Sequence, residues 1–229
     1  MTSSTSLVVT QMQSLIDQWE NVADQRAIFL SCYLLMTRNT LSAICAREFQ
    51  DPPWVDRLLH HFADYYFVAL EAYDQNRAEA PAVWQMVHDL TAKPHVLPIQ
   101  KLLLGVVAHI NYDLVLTLVD ILDPEWNGLS DRQRAARYAD HCHVNDVIGR
   151  TIDAVQDKVL ERAMPSMDIV DRLMGPVDEF LVSRLIMDWR ESVWQHAVHM
   201  LAVPAGEERA RLSQKIEADA LKLGLVIAS

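Results

Sequence analysis

His109 and Asp113 stand four residues apart in the run Ala108-His-Ile-Asn-Tyr-Asp-Leu114. A helix turns about 100° per residue, so the two side chains share one face. Three kinds of chemistry suit such a pair. Asp113 can accept a hydrogen bond from the imidazole and simply fix the core. The two can ligate a divalent ion such as zinc, manganese or iron. Or Asp113 can raise the basicity of His109 for proton transfer in a closed pocket. The flanking residues 102–122 are apolar on nearly every side yet also carry Asn111 and Asp120. Buried polar groups cost free energy unless they are paired, so something must meet these four side chains. Gly105, one turn before His109, leaves room for a close neighbour.

Other helical faces supply candidates. Ile148, Ile152, Val155 and Val159 form a stripe that extends back through Asn145, Val144 and His141, so His141 and Asn145 point inward. His143, Asp146, Arg150 and Asp153 point outward, with Asp146 and Arg150 as a predicted pair. Arg190 falls within the stripe Val182, Ile186, Trp189, Val193, Ala197 and Met200. A core-facing arginine needs an anion; Asp113 is the most economical one, Asp120 the second, and a substrate anion the third. The alternative is that Arg190 snorkels to a helix edge. His61 and Tyr65 flank the apolar face of Trp54–Tyr73 and reach toward a site. His60 and Asp64, a second His-x-x-x-Asp pair, lie opposite Phe62 and are expected in solvent. Tyr33 and Thr37 form a polar i, i+4 pair within an apolar face. The candidate site is therefore His109, Asp113 and Arg190, lined by Asn111, Tyr112, His141, Asn145, His61 and Tyr33.

Helical spacing runs through almost the whole chain, and no two-residue alternation appears. Helices are expected over Ser6–Glu20, from an Asp24 cap to about Glu48, over Trp54–Tyr73, Pro81–Leu90 and Leu97–Leu122, from a Ser130/Gln133 capping box to about Arg162, over Pro176–Val203 and over Glu207–Leu223. Pro165–Gly175 reads as broken. The fold class is all-α: one irregular bundle of seven or eight helices over residues 1–229, with the buried helix 97–122 innermost.

Composition narrows the functions. A net charge of −11 argues against nucleic acid and anionic membranes as partners. Two Asp, a His and an Asn argue against a membrane span at 97–122. Three scattered cysteines and a start without charged or apolar signal regions fit a cytoplasmic protein. There is no phosphate loop, no Gly-x-Ser-x-Gly elbow, no His-Glu-x-x-His and no Glu-x-x-His.

Taken with Asp24-x-Arg26, Phe49-x-Asp-Pro-Pro-Trp54 and Trp189-Arg190, the phrase His109-Ile-Asn-Tyr-Asp-Leu114 resembles a family of uncharacterised bacterial helical proteins. That family carries Ala-His-Ile-Asn-x-Asp-Leu after a Leu-Leu-Gly run. The resemblance spans Asp24 to about Val203 and implies the helical fold, not a reaction. A fainter similarity is to the helical zinc phospholipase C and single-strand nuclease group, where a buried helix supplies His-x-x-x-Asp to zinc. It implies His109 and Asp113 as ligands; the group's amino-terminal Trp and its later His-x-x-x-Glu have no counterpart here.

Two functions are compatible with these residues. One is a small-molecule enzyme centred on His109 and Asp113, with Arg190 as anion clamp. It would perform metal-dependent ester or phosphoester hydrolysis, or metal-free lyase or cyclase chemistry on an apolar molecule. The other is a non-catalytic module binding a ligand or partner, its core held by a His109–Asp113–Arg190 network. A homodimer through an apolar helix face suits either.

Overall fold

The apolar periodicity folds into eight helices, with no strand among the described residues, which are 3–155 and 178–229 of a computed structural model. They are α1 (Ser3–Asn21), α2 (Ala27–Cys45), α3 (Pro52–Asn76), α4 (Ala82–Thr91), α5 (Pro98–Trp126), α6 (Asp131–Val155), α7 (Asp178–Ala202) and α8 (Glu207–Ala228). The architecture is an all-α multi-helix bundle. The expected broken stretch Pro165–Gly175, and the continuation of the preceding helix to Arg162, lie outside the described residues.

Local chemistry sets the helix starts. Asp51 accepts the Trp54 N–H at 3.1 Å, and Pro52 suits a first turn where its missing N–H is not needed. The buried Asp140 carboxylate accepts the N–H groups of Gln50 and Asp51 at 2.7 and 2.8 Å, which ties this start to α6. Ser130 and Gln133 form the capping box, Ser130 N–H donating to Gln133 Oε1 at 2.9 Å. Asp24 does not cap α2. It accepts the backbone N–H and the guanidinium of Arg26, and the helix begins only at Ala27. Asp146 and Arg150 do not form the expected ion pair either; Arg150 Nε donates only to the Asp146 carbonyl, at 3.3 Å. Asp146 pairs with His143 and Arg150 with Glu48, because Glu48 lies close enough across the α2–α6 interface. The ends of α3, α5 and α8 run longer than the periodicity indicates, to Asn76, Trp126 and Ala228. Pro124 costs α5 one backbone hydrogen bond near its last turn and does not stop it. At the far end of α8, the Ile227 carbonyl accepts a bond from Gln100 of α5 at 2.8 Å.

α5 is the central helix, and it is not uniform. Its residues His109–Asp113 form a π-helical turn. An inserted residue rotates the second half of a helix by about 100° relative to the first. Accordingly the two halves bury different faces. Leu102, Leu104, Val107 and Ala108 belong to one core cluster with α1, α2, α3 and α4. Leu114, Val115, Leu118, Val119 and Leu122 belong to another with Trp54, Val193, Trp194 and Ala197. The π turn sits at their junction, where Phe62 and Tyr112 touch both. α2 and α5 are long and apolar enough to cross a membrane, and two thirds of the apolar window of α5 is buried inside the fold.

Candidate active site

The π turn aims His109 and Asp113 at each other. His109 Nδ1 lies 2.9 Å from Asp113 Oδ2, with 3% and 1% of the two residues exposed. Asp113 also accepts from the indole N–H of Trp84, at 3.1 and 3.0 Å to its two oxygens. Trp84 is fully buried, so its N–H needs this acceptor. Thr117 donates to the Asp113 carbonyl at 2.8 Å. These bonds place the proton of a neutral His109 on Nδ1 and leave Nε2 as a bare acceptor. Nε2 is buried and has no hydrogen-bond partner.

Aromatic rings immobilise the imidazole. Phe62 stacks on it at 3.6 Å and 10°, and the Tyr33 ring meets it edge-on at 4.3 Å. Phe29, Tyr66 and Trp84 lie within 6.3 Å. The neighbour that the missing Gly105 side chain admits is Phe29. Burial lowers the His109 pKa, against the opposing effect of Asp113, and burial raises that of Asp113, against its bonds to His109 and Trp84.

His109 borders a cavity of about 200 Å³ between α2, α3, α5, α6 and α7. Its walls are almost wholly apolar, with Phe29, Met36, Leu58, Phe62, Leu102 and Ile186 among them. The polar residues are Cys32, Tyr33, Thr37, Thr40, His109 and Arg190. Thr40 is satisfied by the Met36 carbonyl at 2.9 Å. Tyr33 Oη and Thr37 Oγ1 are buried without a partner. Burial pushes the Cys32 thiol up to about 12, so it stays protonated and unreactive.

Arg190, 4% exposed, lines the same cavity but does not join Asp113. Trp84 and His109 already occupy that carboxylate. Arg190 instead donates from Nε to Asn145 Oδ1 at 2.7 Å and from Nη2 to the His141 carbonyl at 2.7 Å. His141 returns its Nε2–H to the Arg190 carbonyl at 3.0 Å, and burial and Arg190 push its pKa well below 6.5. Burial also lowers the Arg190 pKa to about 10, still charged at neutral pH.

The other expected lining residues lie elsewhere. His141 and Asn145 point inward but serve Arg190 from behind, outside the cavity wall. Tyr112 packs between the two core clusters, and Asn111 is half-buried with its Nδ2 unpaired; neither lines the cavity. His61 bonds to Asp120 at 3.0 Å, with Tyr65 donating to the same oxygen at 2.7 Å, in an exposed cluster. Asp64 is exposed, and half-buried His60 donates to the Asp56 carbonyl at 2.7 Å. Trp84 is the residue that reading the sequence missed. The signal was available: an indole N–H in an apolar helix requires an acceptor.

The residues do not fit a zinc cluster. His109 and Asp113 bond to each other, Trp84 takes both Asp113 oxygens, and no third carboxylate, histidine or cysteine completes a donor set among the described residues.

Three buried histidines make stability depend on pH. His88, stacked on Trp84 from behind with neither nitrogen hydrogen-bonded, has its pKa lowered by burial to about 4. His109 and His141 shift the same way. The unfolded chain therefore binds protons near pH 6.5 that the folded chain refuses. Stability from His88 is complete above about pH 6.5 and is lost as pH falls toward 4, by about 3 kcal/mol over the full interval at 1.36 kcal/mol per pH unit. Urea denaturation at pH 7.5 and 5.0 should show the loss, and His88→Gln should remove about 2 kcal/mol of the difference. Equal slopes in both proteins would contradict a neutral buried His88.

Comparison with curated proteins and comparison with solved structures each find no match. A family model does match, over residues 5–229, and the chain therefore belongs to the family of unknown function DUF5995.

Proposed function

We propose that this protein is an enzyme that moves a proton on a small, largely apolar molecule, with His109 as general base and acid. The observation that carries the reading is the bare, unpartnered Nε2 of a cavity-lining imidazole whose Nδ1 is tethered to a buried carboxylate. That is the arrangement by which a carboxylate orients a histidine for proton transfer. Nε2 takes the proton, Asp113 stabilises the imidazolium, and the face of Phe62 adds cation–π attraction. Trp84 holds Asp113 in place. Tyr33 Oη and Thr37 Oγ1 are the buried donors left to meet a substrate oxygen. The apolar walls favour isomerase, lyase or cyclase chemistry over hydrolysis, because they offer little to hold an attacking water. The same walls support a second reading, in which the cavity holds an apolar ligand without transforming it.

The test is solvent deuterium exchange. The protein is incubated in D2O with apolar ketones, esters and unsaturated acids, and carbon-bound deuterium is followed by NMR. Deuterium entering next to a carbonyl with the native protein, and not with His109→Gln, is expected. Identical spectra for both proteins across the panel would refute proton transfer at His109 and leave the binding reading.

A further inference from the structure

Arg190 has a charge that no described residue neutralises. Its three hydrogen bonds go to Asn145 Oδ1, the His141 carbonyl and, at 3.4 Å, His141 Nδ1. All three acceptors are neutral. No carboxylate of the described residues pairs with it, although the residue is 4% exposed and lines an apolar cavity. A buried cation held only by neutral acceptors is costly, and such a cost persists where an anion repays it. Nη1 makes no hydrogen bond to a described residue, and among those residues its two N–H groups form the free edge of the fork.

The rest of the cavity narrows the anion. Arg190 is the only fixed charge among the described wall residues, and His141 behind it is neutral. One positive charge balances a monoanion; a phosphate dianion would leave a net charge in apolar surroundings. A planar carboxylate matches the flat guanidinium edge. The size is set by the volume. A cavity of about 150 Å³ takes up benzene, so about 200 Å³ takes a chain somewhat longer.

We infer that the cavity binds a small apolar monocarboxylate of medium-chain fatty-acid type, its carboxylate on the free edge of Arg190 and its hydrocarbon along the walls toward His109. The inference rests on the cavity being a ligand site and names the substrate class of the proposed enzyme. It assigns Arg190 to binding and specificity, with Asn145 and His141 as the residues that position it.

The experiment uses octanoate, 13C-labelled at its carboxyl carbon, and 1-octanol as the neutral analogue of similar size. Calorimetric titration should show octanoate binding about 10- to 100-fold more tightly, the range expected for a charge-assisted hydrogen bond. The carboxyl resonance of bound octanoate, followed against pH, should show an acid that stays ionised below its ordinary range, since a partner cation favours the charged form. Arg190→Met should abolish the preference, and Arg190→Lys should retain part of it. If the native protein binds both ligands equally, or binds the acid protonated, Arg190 is not the anion site; the apolar cavity and the deuterium test at His109 are untouched by that result. If neither ligand binds, the inference fails, and exchange at His109 still decides the proposed chemistry separately. The native-protein comparison decides the matter even where Arg190→Met does not fold.

Discussion

Replacing Asp113 by alanine is expected to destabilise the protein by about 2–6 kcal/mol, about 1–3 kcal/mol for each of two buried donors left without an acceptor. The substitution strands two donors at once. Trp84 Nε1–H and His109 Nδ1–H both end on this carboxylate, and neither has another acceptor among the described residues. Urea denaturation reads the loss directly, and a change below about 1 kcal/mol would contradict the three-residue bond pattern. Asp113→Asn separates stability from chemistry. The amide oxygen can still accept from Trp84, but the amide nitrogen presents N–H to His109 Nδ1. The imidazole must then carry its proton on Nε2, facing a substrate with a donor where the native protein offers an acceptor. A wrong tautomer of this kind lowers a histidine base by about 10⁴-fold. Nitrogen-15 NMR of labelled histidine should show the proton on Nδ1 in the native protein and on Nε2 in Asp113→Asn. The same tautomer in both would show that Asp113 does not orient the ring.

Gly105→Ala is expected to cost about 3 kcal/mol or more, a large penalty for one methyl group. A Cβ there would stand 2.5 Å from Phe29 Cδ2 and 2.8 Å from Phe29 Cβ. Phe29 cannot yield by turning. Its ring is held among Tyr33, Tyr66, Trp84 and His109, and its Cβ moves only with α2. Gly224→Ala is the internal control. Its Cβ would meet the terminal methyl of Met86, a flexible tip that can swing aside, so the expected cost is under about 1 kcal/mol. Comparing the two denaturation midpoints tests the close approach of α2 and α5. Equal stabilities would mean that Phe29 is not locked against Gly105. Because Phe29 also forms part of the cavity wall, Gly105→Ala should weaken octanoate binding, while Gly224→Ala should not.

Much of the architecture is legible in the chain because helical periodicity is a local property. The polar residues inside the run 102–122 mark the central helix, and the capping box at Ser130 and Gln133 forms as their spacing indicates. The spacing of His109 and Asp113 places them on one face, and the structure bonds them at 2.9 Å. The inward direction of His141, Asn145 and Arg190 is legible for the same reason. Less legible are the π turn, which no residue type announces, and the ends of α5 and α8. Those ends depend on contacts with other helices rather than on a stop signal.

Read alone, the chain specifies which residue types lie inside: the imidazoles of His109 and His141, the carboxylate of Asp113 and the guanidinium of Arg190, on the apolar faces of three segments. Packing of the helices settles who meets whom. Economy suggests that Arg190 should take Asp113, but the buried indole of Trp84 and His109 fill that carboxylate, and Arg190 turns to Asn145 and the His141 carbonyl. Face and burial arise from angles within one helix, while pairing arises from distances between helices. Those distances depend on how rings such as Phe29, Phe62 and Trp84 fill the space between them. The space that this packing leaves unfilled, an apolar cavity whose walls carry a bare imidazole nitrogen and a guanidinium paired with no described carboxylate, is visible only once the helices are together.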